Sequence, residues 1–255
     1  MQISAKSDMY RKHAELVKGS ATDYFDVPQW IGVELVSTDA VRILEVGCGR
    51  GMTLLTIKQR QEKLGKTCEV VGVDISEDAF ATAKERLDAA YLMDAEDEDF
   101  TAYPPGYFDV IIIIHVLEHV VNPWVFLRKW LRYLKVGGHL VIGVPNVSCY
   151  KFLKRLVLHD EFVYEPAGVL DWTHLRFFTN HSLRRILQDA GLEVEYNPDE
   201  QFNGKTGFLC KIFPPFKKFV LMVRRFKRYA MFFRARKVRE TELEDYMPFE
   251  KTYTL

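Results

Sequence analysis

Two sets of residues in this chain have the side chains and spacing that chemistry requires. The first is Glu45-Val46-Gly47-Cys48-Gly49-Arg50-Gly51. Glycines at alternate positions let a backbone turn sharply and leave no side chain between it and a ligand. The turn is therefore expected to hold a nucleotide-like molecule against its main-chain N–H groups. Asp74 ends the run Val70-Val71-Gly72-Val73-Asp74. Its carboxylate can accept hydrogen bonds from both hydroxyls of a ribose; a surface Asp that merely follows a strand is the plainer alternative. The second set is His115, Glu118 and His119, within His115-Val116-Leu117-Glu118-His119, with His174 far downstream. Imidazole titrates near neutrality, so His119 and His174 are bases able to take a proton from a weak nucleophile. The plainer reading of Glu118-His119 is a helix-start pair bonded to nearby backbone, and the residues alone leave both open.

The elements that must position these groups alternate along the chain. Strands are expected at 41–46, 69–74, near 91–93, at 108–114 and at 139–144. The run Val110-Ile111-Ile112-Ile113-Ile114 suits a strand covered on both faces by helices. Helices are expected at 52–64, 77–87 and 124–134, the last ended by Gly137-Gly138. This order implies an α/β fold with a doubly wound parallel sheet. Ligands bind beyond the carboxyl ends of such strands, where both sets of residues fall. After Pro145 the periodicity is lost, and 146–179, rich in aromatics and histidine, reads as a lid or substrate-facing insertion. A helix at 180–190, capped by Asn180 and ended by Gly191, follows. Strands at 192–196 and 207–213 then close the sheet as an antiparallel final hairpin.

The flanks of the glycine turn narrow its ligand. A P-loop needs Gly-Lys-Ser/Thr, and Gly51-Met52-Thr53 has no lysine. A dinucleotide fold places its third glycine three residues after the second, whereas Gly47, Gly49 and Gly51 are evenly spaced. Glu45 would repel a pyrophosphate and tolerate a ligand that bears a cation. Together these residues favour S-adenosylmethionine over NAD. On these motifs, over residues 42–196, the chain resembles the class I S-adenosylmethionine-dependent methyltransferases. The resemblance implies a seven-stranded Rossmann-like methyltransferase sheet. It also implies Glu45, Gly47, Cys48, Gly49 and Gly51 at the cofactor, Asp74 at its ribose, Ile75 against the adenine, Asp94-Ala95 at the adenine amino group, and His115 beside them. Leu134-Lys135-Val136-Gly137-Gly138 resembles the family's LKPGG segment, with Val136 in place of the proline.

The acceptor is less sharply marked. Class I enzymes that methylate amino groups of DNA bases carry Asp/Asn-Pro-Pro-Tyr/Phe after the fourth strand; His115-Val116-Leu117-Glu118 departs from it. The segment from Gly168-Val169-Leu170-Asp171-Trp172-Thr173-His174 to Thr179 resembles bacterial methyltransferases of surface polysaccharide pathways. That resemblance implies a small-molecule or glycan acceptor methylated on a sugar hydroxyl. A hydroxyl is a poor nucleophile at neutral pH, so the reaction benefits from a base or a metal. Some small-RNA and quinone O-methyltransferases bind a divalent ion through an E-x-x-E-H motif, and the RNA enzymes add a later histidine. The resemblance implies Glu118, His119 and His174 as ligands, with His115 in place of the first glutamate. Such a nitrogen-rich set suits Zn, Fe or Mn better than Ca. Alternatives are O-methylation of RNA termini or of a quinone-like phenol, and a non-catalytic cofactor-binding scaffold subunit.

Composition bounds these readings. At 255 residues and 48% apolar, the chain can bury a large core. Its formal charge is zero, yet 12 of the 35 Lys and Arg lie between Lys205 and Arg239, where there is no Asp or Glu. An acidic body thus carries a basic C-terminal segment. Within it Phe216, Phe219, Val220, Val223, Phe226, Ala230 and Phe233 recur at helical spacing. The expected organisation is a methyltransferase domain over 1–213 and a basic amphipathic extension over 214–255. The extension would pack on the body or in a homodimer, or through 216–239 on a membrane surface; nucleic acid is the least favoured partner. Cys48, Cys68, Cys149 and Cys210 form no CxxC pair and read as reduced thiols. The first eight residues lack the apolar run of a signal peptide. A cytoplasmic location, at most peripheral to the inner membrane, is expected.

Overall fold

A computed structural model describes residues 9, 12, 26–97, 99–200 and 214–241. Seven strands form one sheet: β1 (Arg42–Val46), β2 (Glu69–Asp74), β3 (Ala89–Leu92), β4 (Phe108–Ile114), β5 (Leu134–Pro145), β6 (Leu192–Tyr196) and β7 (Ala230–Lys237). Their order is β3-β2-β1-β4-β5-β7-β6. Pairings among β1 to β5 are parallel, and β7 runs antiparallel to both β5 and β6. The helices are α1 (Trp30–Leu35), α2 (Met52–Lys63), α3 (Glu77–Arg86), α4 (Pro123–Leu131), α5 (Tyr150–His159), α6 (Asn180–Asp189) and α7 (Pro214–Lys227).

The period-2 alternation of strand side chains divides the core into two layers. Ile111 and Ile113 join Phe126, Trp130, Leu183 and Leu187 from α4 and α6. Ile112 and Ile114 join Val33, Leu54, Ile57 and Ala83 from α1, α2 and α3 on the opposite face. Burying an isoleucine fully contributes about 1.5–3 kcal/mol, which is why an unbroken apolar run occupies the central strand. The chain order reverses between β1 and β4, and the crevice at that switch lies beyond their carboxyl ends. It receives both the glycine turn and His115–His119.

Several boundaries differ from expectation. The partner of β6 is 230–237, in the region expected as an extension, so the sheet domain does not end at residue 213; the expected strand at 207–213 lies outside the described residues. The helical spacing of the basic segment is interrupted after Lys227: Ala230 and Phe233 belong to β7, whose Met231, Phe233, Ala235 and Lys237 are buried. Lys237 reaches across the sheet, its Nζ donating to the carbonyls of Leu131 and Leu134 at 2.8 Å each. Unsatisfied buried acceptors cost about 1–3 kcal/mol each, so this ammonium closes the end of α4 while it anchors β7. Gly137-Gly138 do not end a helix; they lie in β5, where a register shift opposite Phe108/Val110 and a φ of 83° at Gly137 accommodate them. Helix α4 instead starts at Pro123, with the Asn122 side chain accepting from Val125 N. Thr179, not Asn180, caps α6, through a reciprocal pair with Ser182.

The stretch expected as a lid contains α5, none of whose residues is buried. Its ends are tied down, with Val147 N donating to Phe178 O at 3.0 Å. No helix among the described residues is long and apolar enough to cross a membrane.

Candidate active site

The glycine turn is shaped by its own hydrogen bonds. Gly47 N and Cys48 N both donate to Val73 O, at 2.8 and 3.0 Å, and Gly51 N donates to Cys48 O at 2.9 Å. Gly49 N donates to Asp74 Oδ2 at 2.7 Å, while Asp74 Oδ1 accepts from Ser76 N at 2.9 Å. The expectation that these N–H groups cradle the ligand is therefore corrected: all four are spent within the protein. The carboxyl groups of Glu45 and Asp74 beside the turn disfavour phosphate and suit a cation-bearing ligand. Gly47 has a φ of 76°, and a Cβ there would lie 2.3 Å from Val116 Cγ2, so only glycine brings β1 this close to the loop after β4.

Beside the turn lies a cavity of about 570 Å³, within the usual range for small-ligand sites. Glu45, Gly47, Cys48, Gly49, Asp74, Ile75, Asp94 and Ala95 line one part of it. Gly51 does not; it caps α2 with a φ of 78°, packed towards Leu87. The Asp74 oxygens hold the turn and the start of α3, and each retains a lone pair. Glu45 is 3% exposed, and its Oε2 has no hydrogen-bond partner among the described residues. Burial, with the neighbouring Asp74 charge adding to it, pushes the Glu45 carboxyl well above the ordinary carboxylate range, against a smaller opposing hydrogen bond from Thr53. A buried carboxylate of this kind fits the cationic groups of S-adenosylmethionine. Burial likewise raises the Cys48 thiol, which stays protonated.

The other part of the cavity is lined by His115, Glu118, His119, Asp171 and His174. His115 follows β4 directly and has a φ of 57°, a left-handed conformation costly for a side chain with a Cβ. Its Nδ1 lies 3.3 Å from Glu118 Oε1. Glu118 is 1% exposed, and its Oε2 lacks a hydrogen-bond partner among the described residues. Burial opposes its ionisation, but the His115 hydrogen bond, with His119 and His174 nearby, holds the carboxyl below its ordinary value. His119 ends a short 3-10 helix, Leu117–His119. Its Nδ1 lies 3.1 Å from Thr173 Oγ1 and 3.3 Å from Thr173 O. Burial lowers its pKa, against the opposing Glu118 charge, and so favours the neutral ring. His174 is 7% exposed, with Nδ1 3.0 Å from Val169 O. The two imidazole centroids are 4.8 Å apart. One potential ligand atom each from Glu118, His119 and His174 falls within 4.8 Å of the others; His115 is not in this group.

The loop carrying Asp171 to Arg176 is pinned, not free. Leu175 N and Arg176 N donate to Glu118 O at 2.8 and 2.9 Å, and Arg176 Nε donates to Val121 O at 3.0 Å. The cavity also takes in residues that sequence reasoning missed: Gln29, Thr53, Tyr229 and Ala230. Thr53 opens the helix after the turn and had a local signal. Gln29, Tyr229 and Ala230 reach the cavity only through tertiary packing.

The raised Glu45 carboxyl gives a prediction with a definite sign. Because its folded pKa exceeds its unfolded one, its contribution to stability is complete below the unfolded value and is lost as pH rises through the folded value. Glu45→Gln removes that loss, so the ligand-free variant is expected to melt above wild type at pH 7, with the gap shrinking towards pH 4. Its affinity for S-adenosylmethionine should fall at least about tenfold, or about 1.4 kcal/mol. Calorimetry and thermal melts across pH check both halves; a lower melting temperature with unchanged affinity would contradict them.

Comparison with known proteins agrees with this geometry. A family described as "Methyltransferase domain" matches residues 11–197. Among curated relatives, a ubiquinone biosynthesis O-methyltransferase of Thiobacillus denitrificans is 31% identical over 169 residues, covering 62% of this chain and 69% of that protein. The fold is shared with a methyltransferase of Archaeoglobus fulgidus, at TM-score 0.52 and 21% identity over 82% of this chain and 94% of that one. It is shared too with the plantazolicin methyltransferase solved with SAH, at TM-score 0.59 and 17% identity over 90% and 91%. From the family match over most of its length and the cofactor-side residues of the cavity, the chain belongs to the methyltransferase-domain family and is an S-adenosylmethionine-dependent methyltransferase.

Proposed function

We propose that this enzyme methylates a hydroxyl of a small quinol-like phenol, with His119 taking the hydroxyl proton. The observation that carries the reading is the convergence of Glu118, His119 and His174 on the same cavity that holds Glu45 and Asp74. The names of relatives such as the Thiobacillus protein support a phenolic acceptor over the expected sugar or glycan. So does the lining of the cavity, where Val120, Phe126, Pro145, Val169 and Ala230 supply apolar walls. A sugar would leave several hydroxyls unsatisfied against such walls.

S-adenosylmethionine supplies an electrophilic methyl on a positively charged sulfur. Glu45 offsets the ligand's positive charge, Asp74 accepts from its ribose, and Ile75 with Asp94-Ala95 receives the adenine. His119, through the ring nitrogen turned away from Thr173, would accept the acceptor's hydroxyl proton as the oxygen bonds to the methyl carbon and the carbon–sulfur bond breaks, leaving S-adenosylhomocysteine. The Glu118 carboxylate stabilises the resulting imidazolium. His115 keeps Glu118 oriented, and His174 completes the wall. His119→Ala should lower kcat by about 10²- to 10⁴-fold while S-adenosylhomocysteine still binds. Catechol-type phenols should yield S-adenosylhomocysteine, and simple sugars should not. Turnover on sugars alone would restore the glycan reading, and cofactor binding without turnover on any acceptor would leave the scaffold reading.

A second reading places a divalent ion at Glu118, His119 and His174, supported by the buried, unpartnered Glu118 Oε2. The ion would act as a Lewis acid that acidifies the hydroxyl, and two imidazoles with one carboxylate favour Zn, Fe or Mn. On this reading chelation abolishes turnover and one of these ions restores it. Full activity in protein that elemental analysis finds metal-free would exclude it.

A further inference from the structure

We propose that Thr173, held by Asp171, is a positioning residue that fixes His119 in the tautomer bearing its proton on Nδ1, which puts the ring's lone pair on Nε2. The inference rests on His119 as the proton acceptor and specifies how that residue is prepared.

Asp171 is 4% exposed, and its carboxyl oxygen accepts from Thr173. Its Oδ1 lies 2.9 Å from Thr173 N and 2.7 Å from Thr173 Oγ1. The hydroxyl has a single proton, and it goes to Asp171. Towards His119 Nδ1, 3.1 Å away, the hydroxyl oxygen can then only accept. The Thr173 carbonyl, which also faces Nδ1, likewise only accepts, and at 3.3 Å it lies beyond the usual N–H···O range. Nδ1 must therefore carry the hydrogen in the neutral ring.

A tight turn would account for the contacts between Asp171 and the Thr173 backbone. It would not require the hydroxyl to face an imidazole on a loop 54 residues earlier. That hydroxyl is kept in place because the two residues after His174 are bonded to the Glu118 carbonyl. Thr173 is 3% exposed, so bulk water does not compete for the hydroxyl.

Thr173→Val removes the hydroxyl and keeps the shape; Thr173→Ser keeps the hydroxyl. Nitrogen-15 chemical shifts of the His119 ring report the tautomer without reference to any acceptor. Wild type and Thr173→Ser are expected to show a protonated Nδ1, and Thr173→Val a mixture with substantial Nε2–H. With one hydrogen bond lost, kcat in Thr173→Val should fall about tenfold, with S-adenosylhomocysteine affinity within about twofold as the check on folding, and Thr173→Ser should recover most of the rate. An Nε2–H signal in wild type, an unchanged tautomer in Thr173→Val, or no rescue by serine would each overturn the proposal. If the tautomer responds as expected while His119→Ala retains turnover, Thr173 keeps its orienting role and the base assignment falls.

Discussion

The structure depends on the way its glycine turn consumes its own donors. Val73 O takes two N–H groups of the turn, and Asp74 takes a third. This fastens the end of β1 to the end of β2 and sets the shape of the cavity between them. It also decides the electrostatics. A turn with open N–H groups would attract phosphate, whereas a closed one flanked by the buried Glu45 selects for positive charge. The same few atoms thus hold the sheet's carboxyl edge together and choose the ligand.

A comparable economy operates on the acceptor side, around Glu118. Its main-chain oxygen secures the 171–176 loop, and its side chain is held by His115. The left-handed backbone at His115 is what turns the chain from β4 into this position. Burying a carboxylate is costly unless it is paired, and among the described residues Glu118 has a partner for one oxygen and none for the other. That imbalance suits the proposed role of the site, which would receive a transient cation, whether an imidazolium or a metal ion. Residues far apart in sequence meet here because one carbonyl and one carboxylate of a single residue bind them both.

Much of this was legible in the sequence, for identifiable reasons. The strands β1, β2 and β4 carry the apolar runs Ile43-Leu44, Val70-Val71 and Val110–Ile114, and the glycine turn lies where β1 must stop. Glu45, Asp74 and the His115–His119 group follow directly from those strand ends. The final strand was not legible, because Phe226, Ala230 and Phe233 satisfy a helical period while Met231, Phe233 and Ala235 satisfy a strand period. Tertiary pairing with β5 and β6 decides between them. Gly137-Gly138 resembled a helix stop, yet serves a register shift in β5. The direction of the turn's N–H groups was also hidden, since glycine spacing says that a turn is tight but not which partner receives its donors.

On the proposed function, one cavity presents a donor end, at Glu45, Asp74 and Asp94, and an acceptor end, at Glu118, His119 and His174. A crystal structure with S-adenosylhomocysteine is the decisive measurement. The adenosine is expected against Asp74, Ile75 and Asp94, the amino acid portion near Glu45, and the thioether sulfur facing the His119–His174 pair. A ligand bound with its sulfur turned away from those histidines, or held outside this cavity, would contradict it.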